Sequence, residues 1–446
     1  LRVAEAARTR LFSGDAPLEL ARDTRIDDEA IAQHVTVAVA EGETLRVEKV
    51  VALYTGRDRA ISEPAVAAVE AASAAGDFDA LFADHCLAWS HLWSRCDIEL
   101  NDSRRTQMIL RLHIFHLLQT VSPHSRDLDA GVPARGLHGE AYRGHIFWDE
   151  VFILPFLNFR MPEISRALLR YRYRRLGAAR ALARQSGLNG ALFPWQSGSS
   201  GREESQTLHL NPRSGHWTPD KSQLQRHVNG AIAFNVWRYY EATGDRLFLE
   251  SHGAEMFIEI ARLWTSLASF NAETDRYEIR GVVGPDEFHE AYPWRDEAGL
   301  DNNAYTNVLA AWVLMHTGKV LDIIPPQRRD ELAALLSVSE DEMALWDTIS
   351  RRLTVPFHGD GVISQFSDYD RLEELDWDAY RAKYDDIQRL DRILEAEGDT
   401  VNRYKASKQA DVLMLFYLFS ADELDALFGR LGYPFDGDTI RKCIAY

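Results

Sequence analysis

Apolar positions along the chain follow two regimes. Between residues 33 and 55 they alternate. Val35, Val37 and Val39 share one face of residues 34–40, Glu41-Gly42-Glu43 turns the chain, and Leu45, Val47 and Lys49 carry the alternation into residues 50–53. That pattern predicts paired strands at the end of a β domain. From Pro64 onward the spacing is helical. Residues 64–75 are alanine-rich, residues 78–93 are apolar with Trp89 and Trp93 four apart, and Leu110, Ile114, Leu117 and Val121 form a stripe widened by Met108, Leu112 and Phe115. Similar stripes recur over residues 166–183, 227–242, 246–264, 304–315, 340–352 and 407–419, separated by long loops rich in Gly, Pro and Trp. No fixed repeat period is present. Helices of similar length joined by such loops predict a closed toroid of helical hairpins, with an irregular α-solenoid as the alternative, and place function on the loops.

Composition narrows the function classes. A net charge of −18 gives a field that repels nucleic acid and anionic membrane surfaces, and no apolar run reaches the roughly 18 residues of a membrane span. The chain opens without a secretory pattern, and Cys86, Cys96 and Cys443 have no metal-knuckle spacing. The expectation is a reduced, cytoplasmic protein. The first residue is Leu and the last three are Ile444-Ala445-Tyr446, from which a fragment of a longer protein is expected.

The loops carry the chemistry. Residues 281–307 read GVVGPDEFHEAYPWRDEAGLDNNAYTN. Gly284-Pro285 breaks the backbone and presents Asp286 and Glu287 among Phe288, His289, Tyr292 and Trp294, and Asp301-Asn302-Asn303 suits a helix cap. A partly desolvated carboxyl among aromatic rings suits a sugar site, since rings stack on pyranose faces and the carboxyl can act as a general acid. An acidic surface loop is the plainer alternative. In residues 135–155, Trp148 is a candidate ring platform and Asp149 a hydroxyl acceptor, or both belong to a buried polar network; His138, Glu140 and His145 match no standard zinc spacing. Residues 192–206 offer Trp195 and Gln196. Residues 209–228 hold His209, His216 and His227, which suit hydrogen bonding better than metal ligation, near a helix start after Thr218-Pro219-Asp220. Lys408 and Gln409 open an apolar helix, either reaching into a pocket or forming a solvated first turn.

Together and in this order, HGEAYRGHIFWDE, FPWQS, GVVGPDEFHE, DNNAYTN and KQADV resemble glycoside hydrolase family 65 over about residues 35 to 446. The resemblance implies an (α/α)6 barrel of glucoamylase type. It places the tail of a β-sandwich at residues 1–57, a helical linker at 58–103, and the barrel, incomplete at its C-terminal end, at 104–446. It implies Glu287 as general acid. Sugar contacts would come from Trp148, Asp149, Trp195, Gln196, Lys408 and Gln409.

That family includes inverting phosphorylases of trehalose, maltose and kojibiose and some trehalases. The expected reaction is inverting phosphorolysis of an α-linked glucose disaccharide to β-glucose 1-phosphate and a released sugar, trehalose first, then kojibiose or maltose. Inorganic phosphate is the co-substrate, with no organic cofactor and no metal. A homodimer is expected from the resemblance alone. A phosphorylase needs no protein base, because phosphate is already an anion, so one carboxyl without an evident partner is compatible with it. The alternatives are a trehalase-like hydrolase, whose water needs a second carboxylate, and an inactive sugar-binding fragment. The family's His-x-Ser-x-Leu-Ser-like phosphate segment has no counterpart before Tyr446.

Overall fold

The computed structural model describes residues 2–28, 30–136, 139 and 141–445. The chain forms two compact units, residues 1–107 and 108–446.

The first unit carries an antiparallel sheet in the order β2-β1-β5, from β1 (Val3–Ser13), β2 (Ala16–Leu18) and β5 (Leu45–Thr55). Val3 lies opposite Thr55 and Ser13 opposite Leu45. Between them in sequence, β3 (Asp23–Asp27) and β4 (Ala30–His34) form a separate hairpin. Helix α1 (Pro64–Ala74) packs on β1 and β5 and buries Ala68 and Ala72, and α2 (Phe78–Cys96) starts at Asp77, whose side chain accepts from Ala80 N–H. Two sequence expectations change. Residues 35–40 alternate but form no strand, because they connect the β3–β4 hairpin to β5 of the other sheet. Strand β1 lies outside the alternating segment, and its half-buried positions include Ala4, Ala6 and Arg8, which give no strong apolar period.

The second unit is built of packed helices. In chain order these are α3 (Arg104–Thr120, whose first turn belongs to the first unit), α4 (Glu150–Arg160), α5 (Pro162–Arg174), α6 (Leu176–Gln185), α7 (Val228–Thr243), the single turn α8 (Arg246–Phe248) and α9 (Ala254–Leu267). There follow α10 (Ala304–Ile323), α11 (Pro326–Leu336), α12 (Glu340–Arg352), α13 (Trp377–Lys383), α14 (Leu390–Ala396), α15 (Asp411–Leu418), α16 (Ala421–Leu431) and α17 (Gly437–Ala445). Two short hairpins interrupt them: β6 (Leu208–Leu210) with β7 (Trp217–Pro219), and β8 (Ala268–Asn271) with β9 (Arg276–Ile279).

Helices α4, α7, α10 and α15 pack side by side, while α5, α9, α12 and α16 lie against them from outside. Composition explains the layering. Helix α10 is apolar on nearly every face and buries most of its residues, as an inner helix must, whereas α12 is amphipathic and buries only Trp346, Ile349 and Ser350. Helix ends are set locally. Ser339 caps α12, whose first turn holds Glu340, Asp341 and Glu342 and whose last holds Arg351 and Arg352, complementing the helix dipole. Ser420 and Glu423 form a capping box on α16. The expected single stripe over residues 166–183 breaks at Arg175 into α5 and α6, and that over 246–264 passes through a π-turn at Leu249–Gly253. Among the described residues, no helix is long and apolar enough to cross a membrane.

Candidate functional site

The loop after β9 turns sharply at residues 284–287. Glu287 takes φ of 63°, a left-handed conformation uncommon for a residue with a side chain. What holds it there comes from the segment before α15. Asp286 N–H donates to Asp411 Oδ1 at 2.6 Å, while Asp286 Oδ1 accepts from Lys408 N–H at 2.6 Å and, more distantly, from Gln409 N–H at 3.4 Å. The two segments thus satisfy each other's backbone donors with buried carboxylates. Asp411 Oδ2 also accepts from Asn303 Nδ2 at 2.5 Å, and Asn303 Oδ1 caps α10 by accepting from Thr306 N–H at 3.0 Å, as its sequence position predicted. Burial and the neighbouring Asp286 carboxylate raise the Asp411 carboxyl well above its ordinary range, and the donated hydrogen bonds offset part of that.

On the far side, Asp286 Oδ2 meets His289 Nδ1 at 2.6 Å, and His289 Nε2 donates to Tyr404 O at 2.8 Å. Gly284 completes the fit. A Cβ there would lie 2.0 Å from Asp411 Oδ2 and 2.4 Å from Asn303 Nδ2. Lys408 and Gln409, expected in the first turn of a helix, instead precede it, since α15 begins at Asp411. Lys408 Nζ rests on Glu287 Oε2 at 2.5 Å, and Gln409 Nε2 bonds to Pro285 O.

Glu287 and Lys408 face a cavity of about 560 Å³. The other expected sugar contacts are not among its lining residues. Trp148 is 7% exposed and Trp195 6%, their rings 6.4 Å apart, with the His227 ring edge-on to both at 4.8 and 5.2 Å and Tyr305 against Trp148 at 6.1 Å. His227 is buried there, and burial lowers it to about 3, so it is neutral. Asp149 stands at the N-cap of α4, half-buried; burial raises its carboxyl and the Glu287 charge raises it further, which puts it within electrostatic reach of Glu287. Gln196 Nε2 lies 2.7 Å from His145 Nδ1.

The aromatic residues after Glu287 divide. Phe288 and Tyr292 are buried, while Trp294 is exposed under the Arg371 guanidinium. Of the three histidines between 209 and 228, His209 bonds to Thr218, His216 to Glu395, and His227 approaches Gln225. His138 and Glu140 lie outside the described residues.

Sequence reasoning missed Asp411, Glu203 and Glu290. Glu203 accepts from Trp195 and Gln196 N–H at 2.9 and 3.1 Å and so shapes that loop. Glu290 lines the cavity; burial, with Asp220 and Asp391 nearby, pushes its carboxyl up to about 7. The available signal was position alone, since Asp411 ends KQAD and Glu290 ends GPDEFHE.

Helices packed in two layers, with loops lining a carboxyl-rich cavity, define an (α/α)6-barrel protein. The model of the glycosyl hydrolase family 65 central catalytic domain matches residues 111–446 and that of the family's N-terminal domain residues 1–92, so the chain belongs to glycoside hydrolase family 65. It is 52% identical over its whole length to an uncharacterized glycosyl hydrolase of Mycobacterium tuberculosis, spanning 33% of that protein. It is 36% identical to trehalose 6-phosphate phosphorylase of Lactococcus lactis, over 91% of this chain and 51% of that one. It is 35% identical to kojibiose phosphorylase of Halothermothrix orenii, over 86% and 49%. A solved human-microbiome structure provisionally named a kojibiose phosphorylase superposes with a TM-score of 0.71 at 21% identity, covering 95% of this chain and 54% of that one. The chain thus spans a third to a half of the curated relatives it matches.

Proposed function

We propose that the protein carries the barrel of an inverting phosphorylase of α-linked glucose disaccharides, with Glu287 as general acid. The observation that carries this is the placement of Glu287: a carboxyl held in a left-handed turn, facing the cavity, beside the Lys408 ammonium. Glu287 would protonate the oxygen leaving the anomeric carbon while inorganic phosphate attacks the opposite face and inverts the configuration. Lys408 would turn from Glu287 to a substrate hydroxyl on binding, leaving Glu287 free to hold the transferred proton. Asp149, raised by burial, would accept hydroxyls of the glucosyl unit. Trp148, Trp195, Gln196 and Gln409 would shape and orient that subsite from beneath, because they are buried or held to backbone.

Trehalose remains the first candidate substrate, followed by kojibiose and maltose. The relatives' names cover both phosphorylated and unphosphorylated disaccharides. The test is a product assay on the intact protein. Each disaccharide is supplied with and without phosphate. Phosphate-dependent β-glucose 1-phosphate supports the reading, and free glucose at an equal rate without phosphate replaces it with hydrolysis.

A further inference from the structure

The charges around the cavity are not balanced. Its cations are Lys221, Arg389, Arg392 and Lys408. Two of these are already engaged: Lys408 with Glu287, and Arg389 with Asp391 through Nε at 2.9 Å and Nη2 at 2.5 Å. The lining holds five further carboxyls, at Asp220, Glu290, Asp296, Glu395 and Asp399. Arg403 neutralises Asp399, with Nη1 2.9 and 3.0 Å from its two oxygens. Apart from Glu290, three carboxyls, Asp220, Asp296 and Glu395, are then set against Lys221 and Arg392, in a chain whose net charge is −18.

Glu290 lines this cavity. Its backbone is fixed on both sides, N–H to Asn402 Oδ1 at 2.9 Å and O to Gly299 N–H at 2.6 Å. The charged groups acting on it are Asp220 and Lys221 from the segment after β7 and Asp391 from α14. Burial is the main cause that raises the Glu290 carboxyl, to about 7, and the Asp220 and Asp391 charges add to it while Lys221 opposes it. The rest of the lining is rich in groups that exchange hydrogen bonds with hydroxyls, among them Gln206, Asn211, Thr218, Gln225 and Asn402.

We propose that this cavity is the subsite for the released sugar, that it takes an uncharged polyhydroxylated acceptor and rejects a phosphorylated one, and that Glu290 is its central hydrogen-bonding residue. The assignment rests on Glu287 marking the cleavage point. Hydroxyl groups supply the donors that a surplus of carboxylates lacks. A phosphomonoester brings about −1.5 to −2 charges at neutral pH and three further acceptor oxygens. It would meet carboxylates where it needs cations, and it would add to the charges that raise the Glu290 carboxyl.

Titration calorimetry on the intact protein at near-physiological salt, with glucose and with glucose 6-phosphate, tests this. Glucose should bind at least about tenfold more tightly than glucose 6-phosphate, a difference of about 1.4 kcal/mol. Glu290→Ala should weaken glucose by about tenfold. Glu290→Gln should recover most of that loss, because an amide, like a protonated carboxyl, both donates and accepts. Glucose 6-phosphate binding as tightly as glucose overturns the proposal. So does undetectable glucose binding, or a folded Glu290→Ala protein with unchanged glucose affinity. The comparison of the two sugars on the unaltered protein decides the matter even where a variant misfolds. A parallel synthesis assay from β-glucose 1-phosphate and glucose separates the two readings. Tight, Glu290-dependent glucose binding without phosphate release removes the phosphorolytic reading while supporting the neutral acceptor subsite.

Discussion

Asp286 and Asp411, 125 positions apart, brace each other's segments: Asp411 accepts the Asp286 N–H while Asp286 accepts the N–H of Lys408, three residues before Asp411. The brace fixes the turn that carries Glu287 against the turn that carries Lys408. Asp411→Asn would set an amide against two N–H donors where both oxygens now accept. One donor would then lose its partner. A loss of about 1–3 kcal/mol in unfolding free energy is expected, together with a fall in turnover beyond what the residual folded fraction explains. Denaturant titration combined with activity per folded molecule measures both, and an unchanged midpoint would remove the brace from the account.

Gly284→Ala tests the same junction from the other side. The added methyl would collide with the Asp411 carboxylate and the Asn303 amide, which are themselves hydrogen-bonded and cannot yield independently. Overpacking of this kind costs about 1–3 kcal/mol. The expected signature is a lower melting temperature, and a variant as stable as the parent would show that the junction is softer than its contacts imply.

Glu287→Gln should reduce disaccharide turnover by about 10²–10⁴, because the shape is kept and only the acidic proton is lost. Both Glu287 and Lys408 are partly exposed, at 37% and 41%, so the broken ion pair should shift stability by under about 1 kcal/mol. More than a tenth of the parental rate would exclude Glu287 as the acid.

Trp148→Ala should act first on stability. The ring is buried against His227, Tyr305, Phe152 and Trp195, and its removal is expected to cost about 3–5 kcal/mol. Reading the residue from sequence as an open stacking platform predicts weakened glucose binding with the fold intact. The comparison of thermal melts with glucose titrations separates the two, and Trp148→Phe should recover much of the stability.

Glu290 gives the pH prediction. Its carboxyl is raised from 4.5 to about 7 in the folded chain. The folded state therefore binds more protons than the unfolded state between those values. Its stabilising contribution is complete below about 4.5 and is lost as pH rises through about 7. Glu290→Gln removes that loss. The variant should gain on the order of 2–3 kcal/mol relative to the parent between pH 5 and pH 8. Melting curves of both proteins across that range give the comparison, and parallel pH profiles would contradict a raised carboxyl.

Much of the helical unit was legible locally. Apolar spacing marks α7, α10 and α12 to within a few residues of their stripes, except that α10 runs on to Ile323. Asn303 signals its own cap, because a cap depends on residues three apart. Strand β1 was illegible because Ala and Arg occupy many of its half-buried positions, and the 35–40 segment misled because alternation shows a face and not a partner.

The sequence by itself determined most of the helices, the order of the motif blocks and the family they point to, since each depends on neighbours within a turn or on a short run of residue types. Only the tertiary structure decided which of those residues share a site. The Asp286–Asp411 brace, the Glu287–Lys408 pair and the cavity beside Glu290 join positions more than a hundred residues apart, and the fold buries the Trp148 ring among other aromatic rings. Contacts at that separation and the loss of solvent around a side chain are properties of the packed chain, and no local pattern encodes them.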